Sequence, residues 1–209
     1  MCIRDSLCLV LCASLATIAV SWLAGRTEAR IAANQLAWET KTIATVLPPG
    51  TFDNEPSLDS IAVIDEELLG TGEPLLAYRA RRDGKVVATV ITIVTEDGYV
   101  GPIKLLVGID SDSSIVAVRA IEHRETPGLG DQIDVSKSDW IEVFTRASGF
   151  DNPLDWELKR DGGEIERITG ATVTSRAVIN AVRNAVEFYR RNQDTLHSPR
   201  KDNVVTKPD

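Results

Sequence analysis

The sequence predicts an α+β fold, an antiparallel sheet with packed helices, preceded by one N-terminal transmembrane helix. Three observations carry this. Leu7 to Ala24 is an apolar run without charge or proline, close to the roughly 20 residues that span a bilayer. Between Leu76 and Ile121 four β-type runs follow one another through short turn-forming connections, the pattern of an antiparallel meander rather than of strands linked by crossover helices. From Ala177 to Tyr189, the residues Val178, Ala181, Val182, Ala185, Val186 and Tyr189 fall on one face of a helix, with Arg183, Asn184, Glu187 and Arg190 on others.

The chain has 209 residues with 43% hydrophobic and 26% charged, which fits one globular core plus an appendage. Its net charge of -8 comes from acidic and basic residues mixed along the chain. Nucleic acid is therefore not the expected partner, because phosphate backbones are bound by clustered Lys and Arg. Cys2, Cys8 and Cys12 all lie at the extreme N-terminus, and His123 and His197 are the only histidines. The rest of the chain can make neither disulfides nor zinc–cysteine or iron–sulfur sites. A redox role would need an organic cofactor or a metal borrowed from elsewhere, and no metal site is expected in the chain itself.

Taken in order, residues 1–25 read as a transmembrane anchor, with Trp22 near the end where interfacial aromatics are favoured. A cleaved secretory signal and a buried core helix are the competing readings; the length of the run favours the anchor. Residues 26–50 read as a juxtamembrane helix carrying Ile31, Leu36, Trp38, Ile43 and Val46 and stopping at Pro48-Pro49-Gly50. Residues 51–190 form the main domain. Its first part, to Leu75, is rich in turn formers around Ser60-Ile61-Ala62-Val63-Ile64 and reads as loop with a local helix or strand. Then Leu76 to Arg81 and Lys85 to Thr95 flank Asp83-Gly84, a tight-hairpin signature because both residues tolerate positive φ. Ile103 to Ile109 and Ile115 to Ile121 continue the meander through Gly98 to Pro102 and Asp110 to Ser113. Ser138 to Arg146 reads as a helix and Trp156 to Lys159 as a strand, with the helices against one face of the sheet. The polar tail, residues 191–209, is expected to be disordered.

Two segments could carry chemistry. The first, Glu122-His123-Arg124-Glu125-Thr126-Pro127-Gly128-Leu129-Gly130-Asp131, leaves the end of a strand and combines ionisable side chains, a fixed φ at Pro127 and glycines that let backbone approach a flat ligand. By composition alone it is an ordinary surface loop. The second, Thr169-Gly170-Ala171-Thr172, with Val173-Thr174-Ser175 after it, opens the last helix. A helix start leaves backbone N–H groups without partners and carries the positive end of the macrodipole, so a hydroxyl there can cap the helix or hold an anionic group. Local propensity alone makes Thr172 an N-cap, a role that Thr174 and Ser175 could fill equally well. Asp161-Gly162-Gly163 ahead of it reads as a turn, or as part of a signal for a modifying enzyme.

In combination these features closely resemble the G subunit of the Rnf (also called Rsx) electron transport complex, and are similar in plan to the C subunit of the sodium-pumping NADH:quinone reductase. An apolar helix precedes a cysteine-free α+β domain bearing His123 to Gly130, Asp161-Gly162-Gly163 and Thr169 to Thr174 in that order. The resemblance covers Trp38 to Tyr189 and leaves out the first six residues. It implies that residues 51–190 are an FMN-binding domain whose FMN is joined through its phosphate to Thr172. Thr169, Gly170, Ala171 and Thr174 would surround the phosphate, and His123, Glu125, Thr126, Pro127, Gly128 and Leu129 would line the ring. It further implies a maturation step by a flavin transferase that uses FAD, and a single-pass location in the cytoplasmic membrane with the FMN domain on the extracytoplasmic side. The partners implied are membrane lipid and the other membrane and iron–sulfur subunits of a complex coupling electron transfer between ferredoxin and NAD to ion translocation. No soluble substrate of its own is implied. The alternatives are the FMN domain of another extracytoplasmic reductase and a membrane-tethered assembly or binding module without flavin.

Overall fold

In a computed structural model of the chain, residues 13, 14, 17, 40–48, 50–145, 156–198 and 205–206 are described. The chain divides into two compact units, residues 1–39 and 40–209. The expected anchor and most of the juxtamembrane segment lie outside the described residues, apart from Ala13, Ser14 and Thr17, which are helical. Among the described residues no helix is long and apolar enough to cross a membrane.

The second unit is built on one sheet. Strands β1 (Ser60–Asp65), β2 (Thr71–Arg82), β3 (Lys85–Thr95), β4 (Ile103–Asp110) and β5 (Ile115–Glu122) form an antiparallel meander in the order β5-β4-β3-β2-β1, and β6 (Val205–Thr206) adds a short parallel edge to β1. The β2–β3 hairpin turns through Asp83 and Gly84, with φ of 50° and 76°, the paired positive values that a two-residue turn needs to match strand twist. A short helix α1 (Glu66–Leu69) joins β1 to β2, its first turn capped by Asp65, which accepts from the Leu68 N–H at 3.0 Å.

The long helix α2 (Thr172–His197) lies against β3 and β4. Its buried Val178, Val182, Ala185, Phe188 and Tyr189 join Ile91, Ile93, Leu105 and Val107 in the main core. The opposite face is also covered: Ile43, Val46 and Leu47 pack with Tyr78, Ala80, Ala88, Val90, Leu106 and Ala117. β3 is therefore buried on both sides, which explains why its sequence is a nearly continuous apolar run rather than an alternation.

Four expectations need correction. The helices do not sit on one face only, because the segment from residue 40 to 47 packs on the other. Of the readings left open around Ser60 to Ile64, the strand is the one found: Ser60 to Asp65 is a strand, buried at every second position. The expected helix from Ser138 to Arg146 is, among the described residues to Thr145, the short 3₁₀ helix Trp140–Phe144. The last helix does not stop at Tyr189: it runs to His197 with Asn192 and Leu196 buried, and β6 forms beyond it, so the tail 191–209 is structured at these positions. Trp156 to Lys159 contributes a single parallel bridge, Leu158 to Ile165, in place of a strand.

Candidate functional site

The loop after β5 and the start of α2 meet at a cavity of about 450 Å³, lined by Tyr99, Glu125, Thr126, Leu129, Gly130, Arg167, Gly170, Ala171, Thr172, Val173 and Thr174. That volume is in the range of sites for small molecules and cofactors, about 300–1,000 Å³. Two segments distant in sequence are thus brought together.

The link between them is a hydrogen bond. The Thr174 hydroxyl, 0% exposed, donates to Oε2 of Glu125, itself 4% exposed, across 49 positions of sequence. The other carboxylate oxygen of Glu125 accepts from the Val100 N–H at 3.0 Å, which draws the Gly98–Pro102 turn and Tyr99 to the cavity. Gly130 makes room for this carboxylate: a Cβ there would stand 2.7 Å from Oε2. Among the described residues no cation pairs with Glu125.

The start of α2 differs from the expectation of a hydroxyl cap. Ala171 is the N-cap residue and provides no side-chain cap, while Thr172 is the first helical residue. The turn into it is set by Gly170 at φ 83°, a conformation that glycine adopts without strain. Ser175 is committed: it donates to the Ala171 carbonyl at 2.9 Å and accepts from the Ile168 N–H at 3.0 Å. Thr174 is committed to Glu125. The Thr172 hydroxyl has no hydrogen bond among the described residues, and neither have the N–H groups of Thr172, Val173 and Thr174. The end of the helix facing the cavity is therefore open, with unpaired donors and the positive end of the dipole.

Around the mouth stand apolar side chains that the fold does not bury: Tyr99 is 71%, Leu129 44% and Val173 47% exposed. Arg167 also lines the cavity and makes no ion pair or hydrogen bond among the described residues.

Of the residues expected here, Glu125, Thr126, Leu129, Gly170, Ala171, Thr172 and Thr174 line the cavity, whereas His123, Pro127, Gly128 and Thr169 do not. His123 braces the loop from within, its Nδ1 accepting from the Glu125 N–H at 3.3 Å. Gly128 turns the loop, donating its N–H to Asp131 at 2.7 Å. Asp161, in the glycine turn upstream, accepts from Arg176 of α2 at 2.6 Å, so that turn is tied to the helix. Sequence pattern does not single out Tyr99, Arg167 or Val173; a lone aromatic between two glycines in a turn is the available signal for Tyr99.

The comparisons with known proteins fall on the same segments. Residues 98–187 match the FMN-binding domain family, a stretch that contains every residue lining the cavity. The chain is 38% identical over 199 residues to the G subunit of the ion-translocating oxidoreductase complex of Pseudomonas aeruginosa, covering 94% of this chain and 92% of that one. It is 42% identical over 154 residues to the protein of the same name in Pseudoalteromonas atlantica, covering 73% and 72%. Among solved structures, the crystal structure of Shewanella oneidensis NqrC aligns at 21% identity with a TM-score of 0.48, over 65% of this chain and 69% of that one.

Proposed function

The chain belongs to the family of G subunits of the ion-translocating oxidoreductase complex, and we propose that it carries FMN as a phosphoester on Thr172. The chain is a redox subunit of such a complex, with an FMN-binding domain.

The observation that carries the reading is the open start of α2. A threonine hydroxyl with no partner among the described residues stands beside three N–H groups likewise unpaired, on a cavity of cofactor size. A phosphodiester retains a negative charge, and such a helix end is a favourable place for it. Arg167 adds a cation on the cavity wall. Thr174 and Ser175, the neighbouring hydroxyls, are fully buried and already bonded, which leaves Thr172 as the acceptor on this helix. In the attachment step Thr172 Oγ1 forms the new P–O bond to the FMN phosphorus of FAD. The pyrophosphate bond breaks, AMP leaves, and the hydroxyl proton is released; a flavin transferase is the partner that brings FAD.

When bound, FMN supplies the electron-transfer chemistry, while the protein positions it and sets its electrostatic surroundings. Leu129, Val173 and Tyr99 offer apolar surface to a ring at the mouth, and the Glu125–Thr174 bond holds the two sides of the cavity in register. Electrons are relayed within a membrane complex, between ferredoxin and NAD, with the domain on the extracytoplasmic side of the membrane and residues 1–25 as its anchor.

Fluorescence of the denatured protein band, together with intact mass, tests the acceptor. The wild type fluoresces and gains the mass of FMN less water; Thr172→Ala does neither, and Thr174→Ala does both. A fluorescent Thr172→Ala band overturns the assignment.

A further inference from the structure

A buried carboxylate with no counter-ion among the described residues faces the cofactor cavity, and the bond-forming step at Thr172 makes no use of its charge. Glu125 is 4% exposed and accepts two hydrogen bonds, from the Val100 N–H and the Thr174 hydroxyl. Its place is built into the backbone. A Cβ on Gly130 would come within 2.7 Å of one oxygen, and a Cβ on Gly98 within 3.0 Å of the other. Neither Arg167 on the same wall nor any other cation comes within ion-pair distance among the described residues. Two neutral donors orient a charge in this way without cancelling it, and a charge as buried as that of Glu125 acts at longer range than it would at the surface.

We propose that Glu125 sets the reduction potential of the flavin, its uncompensated buried charge holding that potential low. The inference rests on the reading of the cavity as the FMN site. Uptake of one electron from a partner redox centre adds one negative charge to the bound group, and the partner is oxidised by the same electron. A fixed negative charge on the wall of the site opposes that addition. A neutral side chain of the same shape removes the opposition, so the reduced form gains.

Glu125→Gln tests this, because the amide keeps the size, its oxygen can still accept from the Val100 N–H, and its NH2 can donate to the Thr174 hydroxyl. The full chain, produced together with a flavin transferase, is checked for a fluorescent denatured band and then titrated spectroelectrochemically. The variant is expected to keep covalent FMN and to shift the reduction equilibrium at least tenfold toward the reduced form, about 59 mV for one electron. Glu125→Asp, which keeps the charge, is expected to stay near the wild type. A loaded Glu125→Gln protein whose potential is within that margin of the wild type overturns the proposal and leaves the FMN assignment standing. Glu125→Ser is the second neutral variant. Loss of FMN from both neutral variants while Glu125→Asp retains it also overturns the proposal, since the carboxylate would then hold the site together. Absence of covalent flavin from the wild type itself would strike the acceptor reading instead.

Discussion

The two ends of helix α2 are treated in opposite ways. At Thr172 the first-turn donors and a hydroxyl have no partners among the described residues and stand beside a cavity. At the other end almost everything is tied down. The Ser198 carbonyl, just past the last turn, accepts from Arg79 at 3.1 Å and from Arg81 at 3.2 Å, and both guanidiniums are held by Asp59 on the neighbouring segment. Asn54 adds hydrogen bonds to the same stretch of β2, donating to the Arg79 carbonyl at 2.9 Å and accepting from the Arg81 N–H at 2.7 Å. Two cations at a helix C-terminus complement the negative end of the dipole. The pattern separates holding from binding: the fold fixes the helix at the end far from the cavity, and can leave the cavity end unsatisfied for a ligand.

The comparison breaks first at the clamp. Asp59→Ala leaves Arg79, which is 1% exposed, as a buried cation without its carboxylate, and is expected to cost about 3–5 kcal/mol in chemical denaturation. The Asp59 carboxyl is held below its ordinary range by the hydrogen bonds and charges of Arg81 and Arg79 against the opposing effect of burial, the largest single influence on it. Its contribution is therefore present above the usual carboxylate range and is lost as pH falls through the lowered value. At the open end, Thr174→Val removes the hydroxyl that Glu125 accepts from and is expected to cost about 1–3 kcal/mol, with Thr172 still carrying the flavin in the fluorescent-band assay. A smaller effect than the clamp variant is what the comparison requires; an equal or larger cost would mean that the cavity end holds the helix as firmly as the far end does.

The smallest effect is expected from His197. Burial pushes its imidazole below the usual histidine value, and the Arg81 charge adds to this against Asp194, while its Nε2 meets the Tyr189 hydroxyl at 2.8 Å. Tyr189 itself is pushed up to about 12, chiefly by burial and also by Asp110 and Asp112, so it does not titrate in the working range. Because the native histidine binds its proton less readily than the unfolded one, stability from this group is complete above about pH 6.5 and declines as pH falls toward the lowered value. Thermal midpoints measured between pH 7.5 and about 5 should show a decline that His197→Gln reduces. A decline of the same size in that variant would place its source in the carboxylates.

Much of this architecture is legible from local pattern. Asp83-Gly84 marks the hairpin because only a few residue types accept two positive φ values in succession, and the apolar face of α2 marks the helix. What local pattern misses depends on tertiary context. Ser60 to Asp65 is too short and too surrounded by turn formers for local pattern to choose between helix and strand without β2 beside it. The last turns of α2 look polar until Leu196 and Asn192 are seen buried against the core. Within the site, the two segments are visible in sequence but their bond is not, since nothing in sequence links Glu125 to Thr174 across 49 positions. Nor does propensity reveal that Ala171, without a capping side chain, begins the helix and leaves Thr172 free.

The length of α2 has a practical consequence. Its 26 residues extend about 39 Å at the usual rise, and all three cysteines of the chain lie before residue 13. A version lacking those three and carrying Asp194→Cys, an exposed position, would offer one thiol for a dye on the same rigid rod as a flavin on Thr172, about 33 Å along its axis. Energy transfer from the flavin to that dye would turn the helix into a ruler for watching its two ends come apart.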